Sequence, residues 1–447
     1  MSFPRYPAYK DSGVEWLGDV PSHWSTAPVK RHFRVVGGST PKSEAPEFWD
    51  GSVVWVTPAD LSRLTSFEIS SSLRTITEAG LHSCGTTLVP AGSVILSTRA
   101  PIGSLGIAGQ ELCTNQGCKA LVPLEDQSAR FLAYLLTVNA AELNIRGRGT
   151  TFLELSSDEL GAFKIPAPPL PEQTGIADFL DNETARIDAL VAEQERLIEL
   201  LKEKRQAVIS HAVTKGLDPS VPMKDSGVEW LGEVPAHWEV SQLRYVVREG
   251  TSITYGIVQA GPEVEDGVPY IRTSDMSGHA LPLTGYPKTS PEIDASYARS
   301  KVRAGDLVIS IRASVGKCLP VPPELDGANL TQGTAKIAPS SKALAVFMLP
   351  FIGSSPVQLY LDSKAKGATF KEITLETLRK TPFLVPPLAE QEEIGRWVER
   401  EEQQFKALVE TAEQAQVLLK ERRNALISAA VTGQIDVRKV LDPEVMT

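Results

Sequence analysis

The chain has 447 residues, of which 42% are hydrophobic and 22% charged, and a formal net charge of −10. That length supports roughly two to four domains with real cores, and no apolar run reaches the roughly 18 residues of a membrane-spanning helix. At face value the acidic total weighs against a nucleic-acid partner, yet the charge is uneven. Residues 172–214 and 390–432 each carry nine acidic residues against five and six basic ones, whereas residues 239–382 hold sixteen Lys and Arg against fourteen Asp and Glu. A polyanion partner is therefore permitted outside the two acidic segments. The N-terminal stretch MSFPRYPAYKDSG lacks the basic-then-apolar layout of a secretory leader. Cys84, Cys113, Cys118 and Cys318 form no CxxC pair and no Cys/His cluster at zinc spacing. Free thiols, a reducing cytoplasm and no bound metal are expected.

In chain order, the first feature is KDSGVEWLG at 10–18, running on into DVPSHW at 19–24; the same nine letters return at 224–232, followed by EVPAHW at 233–238. Next come SVVWVTPADL at 52–61 and GSVILSTR at 92–99, β-branched runs bounded by turn residues that predict strands. DLVISIR at 306–312 repeats the second. SARFLAYLLTVNAAEL at 128–143 and KALAVFMLPFIG at 342–353 predict helices. Further pairs keep the same order: VPAGSVILSTRAPIG with VRAGDLVISIRASVG, TNQGCKALVP with TQGTAKIAP, and GTTFLELSSDEL with GATFKEITLETL. The offset between partners drifts only from 213 to 218, so two copies of one unit stand head to tail.

Each copy then reaches a Pro-rich break, KIPAPPLPEQ at 164–173 and FLVPPLAEQ at 383–391. Proline ends a strand ladder and presets a helix start. Beyond it, Ile176, Phe179, Leu180, Ile187, Leu190, Val191, Leu197, Ile198, Leu201, Val208, Ile209 and Val213 recur at spacings of three and four. Ile394, Trp397, Val398, Phe405, Leu408, Val409, Leu418, Leu419, Leu426, Ile427 and Val431 keep the same phase. Such stripes mark amphipathic helices with a coiled-coil seam, each roughly 60 Å long at 1.5 Å per residue. A stripe that long needs a partner. The tethered copy, at high effective concentration, is favoured over a second chain; antiparallel pairing would put the globular domains at opposite ends.

No catalytic site is legible. HExxH, GxSxG and a complete P-loop are absent, and SVGKCL at 314–319 lacks both the upstream Gly and the following Ser or Thr. The tetrapeptide of amino-methyltransferases and the Pro-Asp opening of a PD…(D/E)xK nuclease are also missing. The six histidines are scattered; His23 and His237 precede Trp24 and Trp238 at equivalent positions and read as structural.

Polar residues suited to DNA recur at equivalent places. RGRGTTF at 146–152 sets Arg146 and Arg148 before Thr150 and Thr151; KAKGATFK at 364–371 sets Lys364 and Lys366 before Thr369 and Lys371. Alternate cations on a Gly-flanked loop can reach adjacent phosphates, or form a solvated turn. Arg99 and Arg312 follow a strand, where an Arg can read guanine, bind phosphate or pair with a carboxylate. Gln116 and Gln332 are weaker candidates. GGSTPKSEAPEFW at 37–49 and GTSITYGIVQAG at 250–261 occupy equivalent positions and differ strongly. Ser39, Thr40, Pro41 and Lys42 in the first, and Thr254, Tyr255 and Gln259 in the second, are the candidate contacts.

On these residues the chain resembles the specificity subunits of type I restriction–modification systems. The motifs are KDSGVEWLGxVPxHW twice, GSTP with WVTPADL, GTTF, and PPLPEQxxI opening each long helix, together spanning nearly the whole chain. Thr40 and Pro41 match the family's TP, and Thr151/Phe152 with Thr369/Phe370 its TF; the second copy has SITYGIVQ at 252–259 in place of TP. The resemblance implies two mixed α/β (α+β) target-recognition domains, at 1–165 and 222–382. Helical regions at 166–221 and 383–447 would form an antiparallel coiled coil that measures an unread spacer.

Each domain would read one half of a bipartite, asymmetric site on double-stranded DNA. Two modification subunits carrying S-adenosylmethionine would dock on the helices and methylate adenine. Two restriction subunits using ATP and Mg would join them. This chain would hold no cofactor and perform no chemistry. The competing readings are a coiled-coil scaffold whose globular domains bind proteins, suggested by the acidic total, and an enzyme with an unfamiliar site.

The two-reader model makes one demand. Exchanging residues 26–165 for those of a relative is expected to change one half-site only, as read by methylation mapping; a change in both halves contradicts it.

Overall fold

The computed structural model describes residues 3–439 except 100, 125–126, 149–152 and 368–370. The chain divides into two compact units, Met1–Gln194 with Gln414–Thr447, and Glu195–Glu413. Two long helices, α1 (Leu170–Lys215) and α2 (Leu388–Val431), each contribute one half to either unit.

The first unit opens with an antiparallel ribbon of Tyr9–Asp11 on Asp19–Pro21. Ser25–Pro28 then pairs with Lys164–Ala167. Between them lies a five-stranded sheet in the order Phe33–Gly37, Cys118–Pro123, Val94–Ser97, Leu105–Ala108, Glu68–Ile69. Beside it, Trp49–Val56 takes Cys113–Thr114 and Thr75–Ile76 as neighbours. The second unit repeats the plan. Met223–Asp225 pairs with Glu233–Pro235, and Glu239–Gln242 with Pro382–Val385. A four-stranded sheet runs Thr254–Tyr255, Thr334–Ile337, Leu307–Ser310, Cys318–Pro320. Val94–Ser97 and Leu307–Ser310 are buried at every position, which is why neither shows a polar–apolar alternation.

Several sequence expectations need correction. The run 52–61 is a strand only to Val56; Pro58–Leu61 is a helical turn, nucleated by the Asp60 carboxylate accepting from Thr57 N at 2.8 Å and Thr57 Oγ1 at 2.6 Å. The helix expected over 128–143 divides into Ala129–Val138 and Ala140–Arg146, with Asn139 Nδ2 donating to the Leu135 carbonyl at 2.8 Å at the break. The helix expected from 342 begins at Ala345. The Pro-rich breaks are themselves strands, Lys164–Ala167 and Pro382–Val385, tolerated because both strands of a two-stranded ribbon are edges.

The long helices pair within the chain. In the first unit, Ile176, Phe179, Leu180 and Ile187 of α1 share a core with Leu426, Ile427, Ala430 and Val431 of α2. In the second, Ile209, Ala212 and Val213 of α1 share a core with Ile394 and Val398 of α2. The first half of each helix thus meets the second half of the other: an antiparallel coil. Arg423 adds an ion pair to Asp188 at 2.9 Å. The seam is narrower than the stripe, however. Leu190, Leu197, Leu408 and Leu418, expected inside it, are exposed. No helix among the described residues is long and apolar enough to cross a membrane.

The repeated entry peptide anchors each unit to the helices. Trp24 and Trp238 are fully buried. His23 Nε2 lies 2.9 Å from Glu172 Oε2, and His237 Nε2 lies 2.8 Å from Glu390 Oε2, so both histidines hold the first turn of a long helix. Tyr6 donates to the same Glu172 at 2.5 Å; burial, then this carboxylate, push its phenol well above the usual range. The chain's end closes on its beginning: the Asp436 amide donates to the Pro4 carbonyl at 2.8 Å, and the Tyr9 hydroxyl to the Gly433 carbonyl at 3.1 Å.

Gly433 and Gly216, just past α2 and α1, have φ of +77° and +79°. A Cβ on Gly433 would lie 2.4 Å from Pro21 Cδ, whereas one on Gly216 finds its nearest atom at 3.4 Å. Alanine costs about 1 kcal/mol at either for its left-handed backbone. Overcrowding at Gly433 adds roughly 1–3 kcal/mol. Gly433→Ala should therefore lower the denaturation midpoint clearly more than Gly216→Ala, read by tryptophan fluorescence.

Candidate nucleic-acid interface

In each unit, three segments converge just past the end of the buried central strand. In the first, the Thr98 amide donates to the Gly117 carbonyl at 2.8 Å and the Leu155 amide to the Thr98 carbonyl at 2.9 Å. Thr98 is thus sandwiched between the turn that carries Gln116 and the segment that carries Glu154. In the second, the Ile311 amide donates to the Gly333 carbonyl at 3.0 Å and the Ile373 amide to the Ile311 carbonyl at 3.0 Å. Arg99 and Arg312 follow directly, so each emerges between a glutamine turn and a carboxylate. Buried serines hold both bends: Ser97 Oγ donates to the Arg99 carbonyl at 3.0 Å, and Ser310 Oγ to that of Arg312 at 2.7 Å.

A fourth segment joins through glycines that must come close. A Cβ on Gly38 would sit 2.2 Å from the Thr114 and Asn115 carbonyl oxygens, and one on Gly256 1.9 Å from the Leu330 oxygen. These contacts lay the variable loops against the glutamine turns. The Ser39 amide donates to the Thr114 carbonyl at 3.0 Å, and Thr40 Oγ1 hydrogen-bonds the Gln116 side chain. In the second unit the Gln332 amide donates to the Ile257 carbonyl at 3.1 Å, two residues before exposed Gln259. Tyr255 is exposed on the strand leading in, beside half-buried Thr254. Lys42 is exposed, and its carbonyl accepts from Trp49 Nε1 at 3.1 Å. Pro41 is buried, so it shapes the loop rather than facing a ligand.

The cationic loops are closed by reciprocal backbone bonds. Arg148 and Glu154 exchange amide–carbonyl hydrogen bonds at 3.0 Å each, and Lys366 and Glu372 do so at 2.9 Å. This brings Arg148 to Arg99, and Lys366 to Arg312, in one cluster per unit. Arg148 also pairs with Glu159 at 2.7 Å, and Lys371 with Asp362. Thr150, Thr151 and Thr369 lie outside the described residues.

Two expected cations are diverted. The Arg146 guanidinium sits 5.2 Å from the centre of the Phe163 ring, which is itself stacked on Trp16 at 5.4 Å. Lys364 Nζ lies 5.6 Å from the Tyr360 ring, stacked on Trp230 at 4.9 Å. A cation over an aromatic face is held there by the ring quadrupole. Arg146 and Lys364 therefore tie the cationic loops to the entry peptides; Arg146 is half-buried there and Arg148 exposed, whereas Lys364 and Lys366 are both exposed. Sequence reasoning missed Glu154 and Glu372, although both stand in the repeated GTTFLEL and GATFKEI; the shared Glu five residues after the first Gly was the available signal. Among the described residues no His/Cys/Asp/Glu group could hold a metal ion.

Two α/β units on one plan, each offering a cationic, amide-bearing loop cluster at a strand end and tied to paired helices, define a duplicated binding protein. The family model described as type I restriction modification DNA specificity domain matches residues 21–200 and again 235–417. The chain belongs to that family. It is 31% identical over 294 residues to the specificity subunit of type I restriction enzyme EcoBI of Escherichia coli. The match takes in 65% of this chain and 62% of the E. coli protein, so the chain spans less than two thirds of that relative's length. In fold it is similar to the HsdS subunit from Thermoanaerobacter tengcongensis, with a TM-score of 0.59 at 20% identity over 93% of this chain and 98% of that one. A chain from a structure addressing assembly and conformational transition of the type I R-M system gives a TM-score of 0.64 at 20% identity, over 92% and 98%.

Cys113 and Cys118 flank the Gln116 turn and are buried; burial pushes their thiols up to about 11 and about 12. Since the thiolate is the reactive form, neither should be labelled by a thiol reagent at pH 8 in the native protein. Mass spectrometry should find both labelled once denaturant is added.

Proposed function

We propose that this chain is the DNA-sequence-recognition subunit of a type I restriction–modification complex. Its cytoplasmic assembly would include two modification subunits, which bind S-adenosylmethionine and methylate adenine, and two restriction subunits using ATP and Mg. Residues 1–165 and 222–382 act as target-recognition domains, each reading one half of a bipartite site. Residues 166–221 and 383–447 set the spacer and dock the modification subunits. The chain supplies an address and no chemistry.

One observation carries this reading: the same three-segment cluster, Arg99–Gln116–Arg148 and Arg312–Gln332–Lys366, recurs at the same strand end, while the loops beside it, Ser39–Lys42 and Tyr255–Gln259, share no sequence. Equal scaffolds with unequal loops suit two readers of different bases. Phosphate contacts supply affinity and base edges supply sequence. Leu190, Leu197, Leu408, Val417 and Leu418 are exposed on the helices and so are available to a protein partner there. The protein-scaffold reading rests on the same leucines but leaves the paired loop clusters without a role.

The test uses the chain assembled with its modification subunit on randomised DNA. Selection should return one gapped motif with a fixed spacer; no preference sinks the proposal. Arg148→Ala and Lys366→Ala should each weaken binding about equally across sequences and reduce the slope of log K against log salt by about one.

A further inference from the structure

We infer that Glu154 and Glu372 are positioning residues for specificity: each carboxylate presets the arginine of its own unit for one half-site and sets a toll against binding where that arginine finds no partner. The inference rests on the DNA-reading function proposed above. Glu154 Oε2 accepts from Arg99 Nε at 3.1 Å and lies 3.0 Å from Arg99 Nη2. Glu372 Oε2 lies 2.9 Å from Arg312 Nε. In both units this glutamate is also the residue whose backbone bridges the arginine on one side and the loop cation, Arg148 or Lys366, on the other. The recurrence is therefore of a whole arrangement, not of a residue type.

Stability does not account for it. The side chains are 42% and 38% exposed in the first pair and 41% and 44% in the second, and exposed ion pairs contribute little to folding. The backbone bridges that close the loops would survive any side chain at these positions. A carboxylate beside a phosphate-binding surface is moreover repulsive to DNA. Its compensating property is geometric. Arginine loses considerable rotamer freedom when it binds, and a planar fork already fixed along its Nε edge loses less. The rest of the fork stays accessible for a base edge or phosphate. Where that ligand is wrong, the glutamate's charge is left facing the polyanion, which suppresses the incorrect complex as well as favouring the correct one.

Glu154→Gln and Glu372→Gln, in the full chain assembled with its modification subunits, test this. Binding is measured to the cognate duplex, to duplexes altered in either half-site, and to unrelated DNA. Each variant should lose at least about fivefold discrimination at one half-site only, with affinity for unrelated DNA unchanged or higher and the melting temperature unmoved. Glu154→Asp, which keeps the charge, should recover part of the loss. In an Arg99→Ala background, Glu154→Gln should have no further effect on discrimination. Undiminished discrimination, or an equal loss on cognate and unrelated DNA, overturns the inference. If the parent assembly shows no sequence preference at all, it is the proposed function that fails instead.

Discussion

Everything else in the molecule depends on the pairing of α1 with α2. Each helix carries an apolar stripe over more than forty residues, far more than one small α/β unit can cover. The buried part of the stripe is covered because the same stripe occurs twice in one chain and runs antiparallel to itself. A tethered partner needs no second molecule, so the coil forms at any concentration. Each half of the coil is also part of a globular core: Phe131, Leu132 and Tyr134 share the first unit's core with Phe179 and Leu180, and Phe347 and Phe351 the second's with Ile394 and Val398. Each helix half is thus the floor of the unit whose core it joins.

The entry peptide fastens the rest to that floor with buried tryptophans and with histidines that hydrogen-bond the helix starts. Trp24 and Trp238 are inaccessible, and Glu172 and Glu390 take the paired histidines. Glu172 is itself buried and accepts from two donors, so removing either leaves a buried anion underpaired, which costs more than the bond contributes. At the chain's end, burial of Asp436 favours its neutral form, but the Arg438 guanidinium prevails and holds the carboxyl below its ordinary value. The contrast with the loop clusters is physical. The anchors are identical between copies, with their tryptophans buried; Arg148, Lys366 and Gln116 are exposed in repeated text, beside the unlike loop that carries exposed Gln259.

The repeat, the helices and the anchors were legible because long apolar periodicity and nine identical letters are strong signals. The long helices begin within two residues of where PPLPEQ and PPLAEQ place them. The β-strand ends were less legible: Thr57 and Asp60 turn the chain into a helical cap after Val56, and a capping box outweighs a β-branched run only through its local hydrogen bonds. Leu190 and Leu418 fit the seam by spacing yet are exposed, since a two-helix seam buries a narrower stripe than a 3–4 pattern selects. In the candidate site, the residue types were readable but their partners were not. Nothing in spacing alone distinguishes Arg146, laid on Phe163, from Arg148 two residues later, because that choice is made by an aromatic ring seventeen positions away.

The sequence by itself determined the duplication, the two mixed α/β units, the two helices and the absence of familiar catalytic motifs, because these follow from periodicity, turn chemistry and repeated text. Tertiary structure alone decided that the helices pair within the chain, and that Arg99 and Arg312 meet a glutamate at 3 Å or so rather than open solvent. It also laid Arg146 on Phe163 while leaving Arg148 exposed. Those outcomes depend on contacts between residues far apart in the chain, and local pattern carries no information about which distant side chain will stand opposite.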